Sequence, residues 1–134
     1  MEIREYRYCE DEMLSLYSDA GWASYTKDMS VLRKGFENSL LVLAAYDDSR
    51  LRGIIRAVGD GATIVFVQDI LVFKQYQRKG VGTALLKEVL ARFGDVRQIG
   101  LVTDNTPKTT AFYRSIGFKE LSEFGCCGFM HYNL

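Results

Sequence analysis

The run Val72-Phe73-Lys74-Gln75-Tyr76-Gln77-Arg78-Lys79-Gly80-Val81-Gly82-Thr83-Ala84-Leu85-Leu86 constrains this chain more than any other stretch. A β-branched strand, read over residues 63–73, feeds a loop with two glycines. The loop opens straight into a helix, read from 83 to about 93, with Leu85, Leu86, Val89 and Leu90 on one face. Gly80 and Gly82 are read as taking backbone angles that other residues avoid and as leaving no side chain in the way. The free N–H groups of the first helical turn then face a concavity, and the helix dipole makes that concavity an anion site. Arg78 and Lys79 add formal positive charge beside it.

The flanking pattern supplies the rest of an α/β layer. Residues 3–8 alternate as a first strand, and residues 10–20 carry Met13, Leu14, Leu16 and Tyr17 at helical spacing behind an acidic start. Residues 21–26 read as a loop with two exposed aromatics, Trp22 and Tyr25. Ser30 is the expected cap of a second helix carrying Val31, Leu32 and Phe36. Strands follow at 40–46 and 51–58, and Asp60-Gly61 signals a hairpin into 63–73. A strand at 99–103 precedes a helix from Thr106 or Pro107 to about Ser115, closed by Gly117. Two last strands are read at 118–121 and 128–132. The order β-α-α-β-β-β-α-β-α-β-β predicts a mixed central sheet of about 6–7 strands, antiparallel in its first half, flanked by about 4 helices. The 134 residues read as one domain spanning 1–134.

Composition excludes several classes. Hydrophobic residues are 48%, aromatic residues 13% and charged residues 25%, a profile that buries too much surface to stay disordered. No apolar run reaches about 18 residues, and the start Met1-Glu2-Ile3-Arg4-Glu5 has no signal-peptide core, so no membrane partner and a cytoplasmic setting are expected. Seventeen Lys+Arg balance 17 Asp+Glu, which argues against nucleic acid as a partner. Cys9, Cys126 and Cys127 are odd in number and two are adjacent, which is no disulfide framework; with His131 as the lone histidine, no metal site is expected either. The thiols are expected to be buried.

The glycine spacing is not a Walker loop, because no Lys follows the second glycine, and not a dinucleotide fingerprint, because position 85 is Leu. Gln77-Arg78-Lys79-Gly80-Val81-Gly82 resembles the Gln/Arg-x-x-Gly-x-Gly/Ala loop of the GCN5-related N-acetyltransferase (GNAT) superfamily. Phe112-Tyr113-Arg114-Ser115-Ile116-Gly117-Phe118 resembles that superfamily's Phe-Tyr-x-x-x-Gly-Phe signature, and it follows the loop after one helix and one strand. The resemblance covers essentially the whole chain. Segments 21–26, 59–61, 68–72 and 103–106 are similar to small bacterial members and, more distantly, to plant-type serotonin N-acetyltransferases, whose substrate is not carried over.

The resemblance implies the GNAT fold and direct transfer of an acetyl group from acetyl-CoA to an amine. By the same likeness, backbone N–H groups of Arg78, Lys79, Gly80, Val81, Gly82 and Thr83 hold the diphosphate, and Gln77 and Arg78 frame the loop or meet the adenosine phosphates. Ile70, Leu71 and Val72 line the pantetheine arm, an N–H near Ile70 or Leu71 faces the oxyanion, and Asn105 is a further contact to the arm. Strands 63–73 and 99–103 are expected to splay to admit that arm. Tyr113 either protonates the leaving thiolate or only packs against the arm. Asp69 is a candidate base, an ammonium ligand or a backbone contact. Trp22 and Tyr25 either wall the acceptor pocket or cap the core, and Gln68 and Phe129 are weaker candidates for the pocket. His131 reads as structural rather than as a base, and Cys126-Cys127 as core rather than nucleophile. The expected acceptor is a small-molecule amine; a protein or peptide amine, or a non-catalytic acetyl-CoA-binding module, are the alternatives. The apolar last strands suit a homodimer.

Overall fold

The computed structural model describes residues 1–133. It divides into two compact units, Met1–Val102 and Thr103–Leu134.

The first unit holds β1 (Glu2–Glu5), α1 (Glu10–Asp19), α2 (Ala23–Thr26), α3 (Met29–Glu37), β2 (Leu41–Asp47), β3 (Arg50–Gly59), β4 (Ile64–Val72), α4 (Val81–Arg92) and β5 (Gln98–Leu101). The strands lie in the order β1-β2-β3-β4-β5. All neighbours are antiparallel except β4 and β5, which run parallel around the α4 crossover. Acidic Glu10, Asp11 and Glu12 complement the dipole of α1, whose Met13, Leu16 and Tyr17 are buried at helical spacing. Asp28, not Ser30, caps α3: its carboxylate accepts the Ser30 N–H at 3.1 Å and the Ser30 hydroxyl at 2.6 Å. Segment 21–26 is not a plain exposed loop, since it contains α2 and packs Trp22 and Tyr25 against the core.

One extra residue organises the sheet. Ala57 pairs with Val67 and Arg56 pairs with Asp69, so Gln68 is a bulge in β4. Successive strand residues point to opposite faces, so the bulge switches which face β4 buries. Val65 and Val67 share the face of Ile55 and Ala57, where α4 contributes Val81, Leu85, Leu86 and Val89. Beyond the bulge, Leu71 joins Ile54, Ala44, Met13, Leu16, Leu32 and Phe36 in the cluster under α1 and α3. Asp69 lands in the same layer with its side chain 0% exposed.

A buried carboxylate needs compensation. Arg56 supplies it from the paired position on β3, Nε to Oδ2 at 2.7 Å. The Tyr17 hydroxyl donates to the same oxygen at 2.8 Å. Burial first, then the charge of Asp69, raises the Tyr17 phenol far above its ordinary 10.0, so it stays a donor. Arg56 Nη1 donates to Ser39 Oγ at 3.3 Å, and Ser39 Oγ donates to the Gly35 carbonyl at 2.7 Å. Glycine at position 35 leaves room for the guanidinium, because a Cβ there would stand 3.3 Å from Arg56 Nη1.

The second unit is α5 (Pro107–Ser115) and a 3-10 turn at Leu121–Phe124. Thr106 and Thr109 close a capping box, and Pro107 takes the first helical position. Neither last strand expected at 118–121 and 128–132 forms, so the described sheet has five strands rather than 6–7. Glu120 and Glu123 cap the 3-10 turn reciprocally and Arg114 bridges to both, at 3.5 and 2.9 Å, which takes these residues out of an extended chain. All three cysteines are exposed rather than buried, because Cys9 precedes α1 and Cys126-Cys127 lie in the irregular tail. Among the described residues no helix is long and apolar enough to cross a membrane.

Arg56→Ala strands a carboxylate in the core and should lower the unfolding free energy by about 3–5 kcal/mol in chemical denaturation. The double variant Arg56→Met/Asp69→Leu should recover most of that loss, since it removes both charges and keeps volume.

Candidate active site

The loop between β4 and α4 is built mainly from backbone. A 3-10 turn at Lys74–Tyr76 leaves β4, with the Lys74 N–H held by Asp19 Oδ2 at 2.8 Å. Gln77 Nε2 donates to the Val72 carbonyl at 3.1 Å, so Gln77 frames the loop. Arg78 sits at φ 64 and Gly80 at φ +83, both left-handed. Gly80 is the N-cap of α4, and a Cβ built there meets nothing within 4 Å. No side chain caps the helix, so its first-turn N–H groups face an open cradle. Gly82 differs from expectation: it lies inside α4 with no left-handed angle. Arg78 and Lys79 are exposed, as a counter-charge for a solvated anion should be. A cavity of about 200 Å³ adjoins the loop, lined by Lys79, Val81, Tyr76, Arg52, Asp47 and Met1. The Arg52 guanidinium stacks over the Tyr76 ring at 3.6 Å.

Just ahead of the loop, β4 loses its second neighbour. The parallel ladder with β5 runs only from Ile64↔Gln98 to Val67↔Leu101. From the Gln68 bulge to Val72 the strand pairs with β3 alone. Alternate backbone groups of Asp69, Ile70, Leu71 and Val72 therefore have no strand partner on the β5 side, which fits an extended, amide-rich ligand laid beside them. The ladder stops there because β5 itself ends at Leu101, short of the 99–103 read from sequence.

The helical side of the bulge is aromatic. Tyr17, Trp22 and Tyr25 pack mutually at centroid distances of 5.4–5.9 Å. Exposed Gln68 donates from Nε2 to the Tyr25 hydroxyl at 3.3 Å. Trp22 and Tyr25 are half-buried, so each serves core and surface at once. Asp69 does not suit the base role. Its carboxylate has no exposed surface, and Oδ2 is held by Arg56 and Tyr17. Of the alternatives read from sequence, it is a structural contact, to side chains rather than backbone.

In the second unit Tyr113 lies on α5, half-buried, its ring 4.9 Å from Phe112 and 6.0 Å from Phe118. Burial raises its phenol above the ordinary 10.0, against a smaller opposing effect of a hydrogen bond with Thr103. The group is a proton donor throughout the neutral range. Asn105 is exposed ahead of α5, and His131 and Phe129 are exposed in the tail rather than in a strand. Arg56, Tyr17 and Thr103 escaped the sequence reading. Arg56, one of two arginines in the stretch 51–58 and set between Ile55 and Ala57, was the one available signal for the first of them.

The family model of the acetyltransferase (GNAT) domain matches residues 9–127. A GNAT-family acetyltransferase of Streptococcus pneumoniae TIGR4 is 38% identical, with a TM-score of 0.88 over 98% of this chain and 97% of that one. Among curated proteins, a probable acetyltransferase TAP2 of Glycine max is 29% identical over 79% of this chain and 46% of its own length. A histone acetyltransferase TAP1 of the same plant is 27% identical over 81% and 51%. The chain thus spans about half the length of these two curated relatives.

The two glycines of the loop should behave oppositely. Gly80→Val forces a β-branched residue into the left-handed region and should cost about 1–2 kcal/mol or more. Gly82→Ala sits in helical backbone and should gain up to about 1 kcal/mol from helix propensity. Thermal melts of the two variants against the parent measure both.

Proposed function

Because the chain belongs to the GNAT acetyltransferase family, we propose that residues 1–134, as a single N-acetyltransferase domain, transfer the acetyl group of acetyl-CoA to the primary amine of a small molecule by direct attack. The observation that carries this is the sudden one-sidedness of β4 from Gln68 to Val72, immediately before an uncapped, open helix N-terminus. Acetyl-CoA brings the activated thioester; the remaining tasks fall to this chain. Backbone N–H groups from Arg78 to Thr83 hold the diphosphate, and the free backbone edge of Ile70, Leu71 and Val72 aligns the pantetheine arm. An N–H near Ile70 or Leu71 stabilises developing negative charge on the carbonyl oxygen. Asn105 is a further contact to the arm. Tyr113, whose phenol keeps its proton throughout the neutral range, delivers that proton to the departing sulfur. Trp22, Tyr25 and Gln68 line the acceptor side, where half-buried aromatic rings favour an amine with an apolar body. Asp69 supports this site by holding the bulge, and the amine gives up its proton to solvent.

The three free thiols are in keeping with a reducing, cytoplasmic setting. The name of the TAP1 relative favours a second acceptor, a protein amine. Thiol release from acetyl-CoA with a panel of small amines, set against histone-type peptides, separates the two. Turnover with peptides alone replaces the small-molecule reading.

Saturating acetyl-CoA at about 100 times Kd should add roughly 2.7 kcal/mol of stability, readable as a shift of several degrees in Tm. No shift in a folded protein would end the acetyl-CoA reading. Tyr113→Phe should lower kcat by about 10²–10⁴-fold with acetyl-CoA affinity nearly unchanged. Because the folded phenol loses its proton only above its ordinary 10.0, the alkaline limb of kcat that it controls should lie above pH 10 and vanish in the variant.

A further inference from the structure

Asp19 stands where a carboxylate is poorly placed. It is the last residue of α1, at the negative end of the helix dipole. α3, α4 and α5 each carry a cation in the last turn, Lys34, Arg92 and Arg114, and α1 carries none. Glu37, the acid that ends α3, is paired with Arg33 at 3.0 Å. Among the described residues Asp19 has no ion pair of its own. A residue kept against a local electrostatic rule points to a task elsewhere.

That task lies 55 residues along the chain, where Asp19 Oδ2 accepts the backbone N–H of Lys74 at 2.8 Å. Lys74 opens the 3-10 turn that follows β4, and Phe73 ahead of it offers no side-chain cap. Asp19 is therefore the cap, supplied by another element. Three further contacts pin the same turn. The Phe73 N–H donates to the Arg52 carbonyl at 3.0 Å, the Arg52 guanidinium lies over the Tyr76 ring at 3.6 Å, and Gln77 Nε2 donates to the Val72 carbonyl at 3.1 Å. Of these, only the Asp19 contact comes from outside β3, β4 and the loop itself. Asp19 is half-exposed and Lys74 exposed, so the bond adds little to the stability of the fold. What it sets is position, at the point where the one-sided stretch of β4 ends and the glycine loop begins.

We propose that Asp19 is a positioning residue for the cofactor. By holding the turn in one shape it presets the glycine loop for the diphosphate, and without it acetyl-CoA must order the turn as it binds. The same hydrogen bond fixes the loop against α1, whose end leads into Trp22 and Tyr25. This role rests on the reading of the loop as an acetyl-CoA site.

Asp19→Ala removes the acceptor, whereas Asp19→Asn keeps one and drops the charge. Calorimetry should show acetyl-CoA bound about tenfold more weakly by Asp19→Ala, and within about threefold of the parent by Asp19→Asn. The three melting temperatures should agree within about 3 °C, because relief at the helix end offsets the lost hydrogen bond. Trypsin reads the turn without any ligand. Cleavage after Lys74, Arg78 or Lys79 should quicken about tenfold in Asp19→Ala but not in Asp19→Asn, with cleavage elsewhere unchanged. Four outcomes each overturn the positioning role and leave the cofactor reading standing: Asp19→Ala binding as tightly as the parent, Asp19→Asn binding as weakly as Asp19→Ala, a Tm that falls along with affinity, or loop cleavage unchanged. A folded parent that binds no acetyl-CoA overturns both.

Discussion

The fold turns on one charged pair that sits where charge is costly. Arg56 and Asp69 face each other across β3 and β4, under α1 and α3, because an inserted residue has turned β4 over. The pair is a poor source of net stability, since desolvation offsets most of its attraction. It supplies definition. With Asp69 fixed by Arg56 and Tyr17, and Arg56 fixed by Ser39, one carboxylate ties two strands to α1 and to the end of α3. A slip of β4 by one residue would leave Arg56 without its partner in the core. The bulge is thereby held at the point where β5 departs from β4.

That departure joins core to surface. Before the bulge, β4 has neighbours on both sides and buries Val65 and Val67 against the α4 layer; after it, β4 has one neighbour and buries Leu71 against the opposite layer. The same few residues thus end a ladder, change a face and lead into the glycine loop. The anion site proposed at this loop needs no net positive charge on the chain, because helix N–H groups and left-handed turns supply it rather than an excess of lysine.

Much of this was legible in sequence. The glycine loop, the helical periodicity of α1 and α4, the hairpin at Asp60-Gly61 and the order of strands all follow from local rules. Asp60 accepts the N–H groups of Ala62, Thr63 and Ile64 at 2.7–3.1 Å, which is why that dipeptide signals so clearly. The failures have a common cause. The bulge is invisible because Val67, Asp69 and Leu71 keep a regular alternation through it, and only the cross-strand register reveals that the face has changed. Asp28 outcompetes Ser30 as a cap because it stands one residue before the helix, a distinction the apolar pattern does not make. The tail reads as strand because its composition is strand-like, whereas a strand also needs a neighbour. Whether a buried aspartate is a base or a brace depends on an arginine thirteen residues away, and local patterns do not carry that information.

The proposed ligand edge, being made of main chain, has an evolutionary consequence. Between Asp69 and Val72 the groups that face the β5 side without a strand partner are peptide N–H and C=O, which every residue except proline provides alike. Side chains there are free to drift under the demands of packing alone. Selection on the ligand acts instead on a handful of shape-setting positions, the bulge, the left-handed glycine and the buried pair. A lineage built this way can rewrite most of its sequence, and with it whatever surrounds the edge, while the edge itself is inherited unchanged.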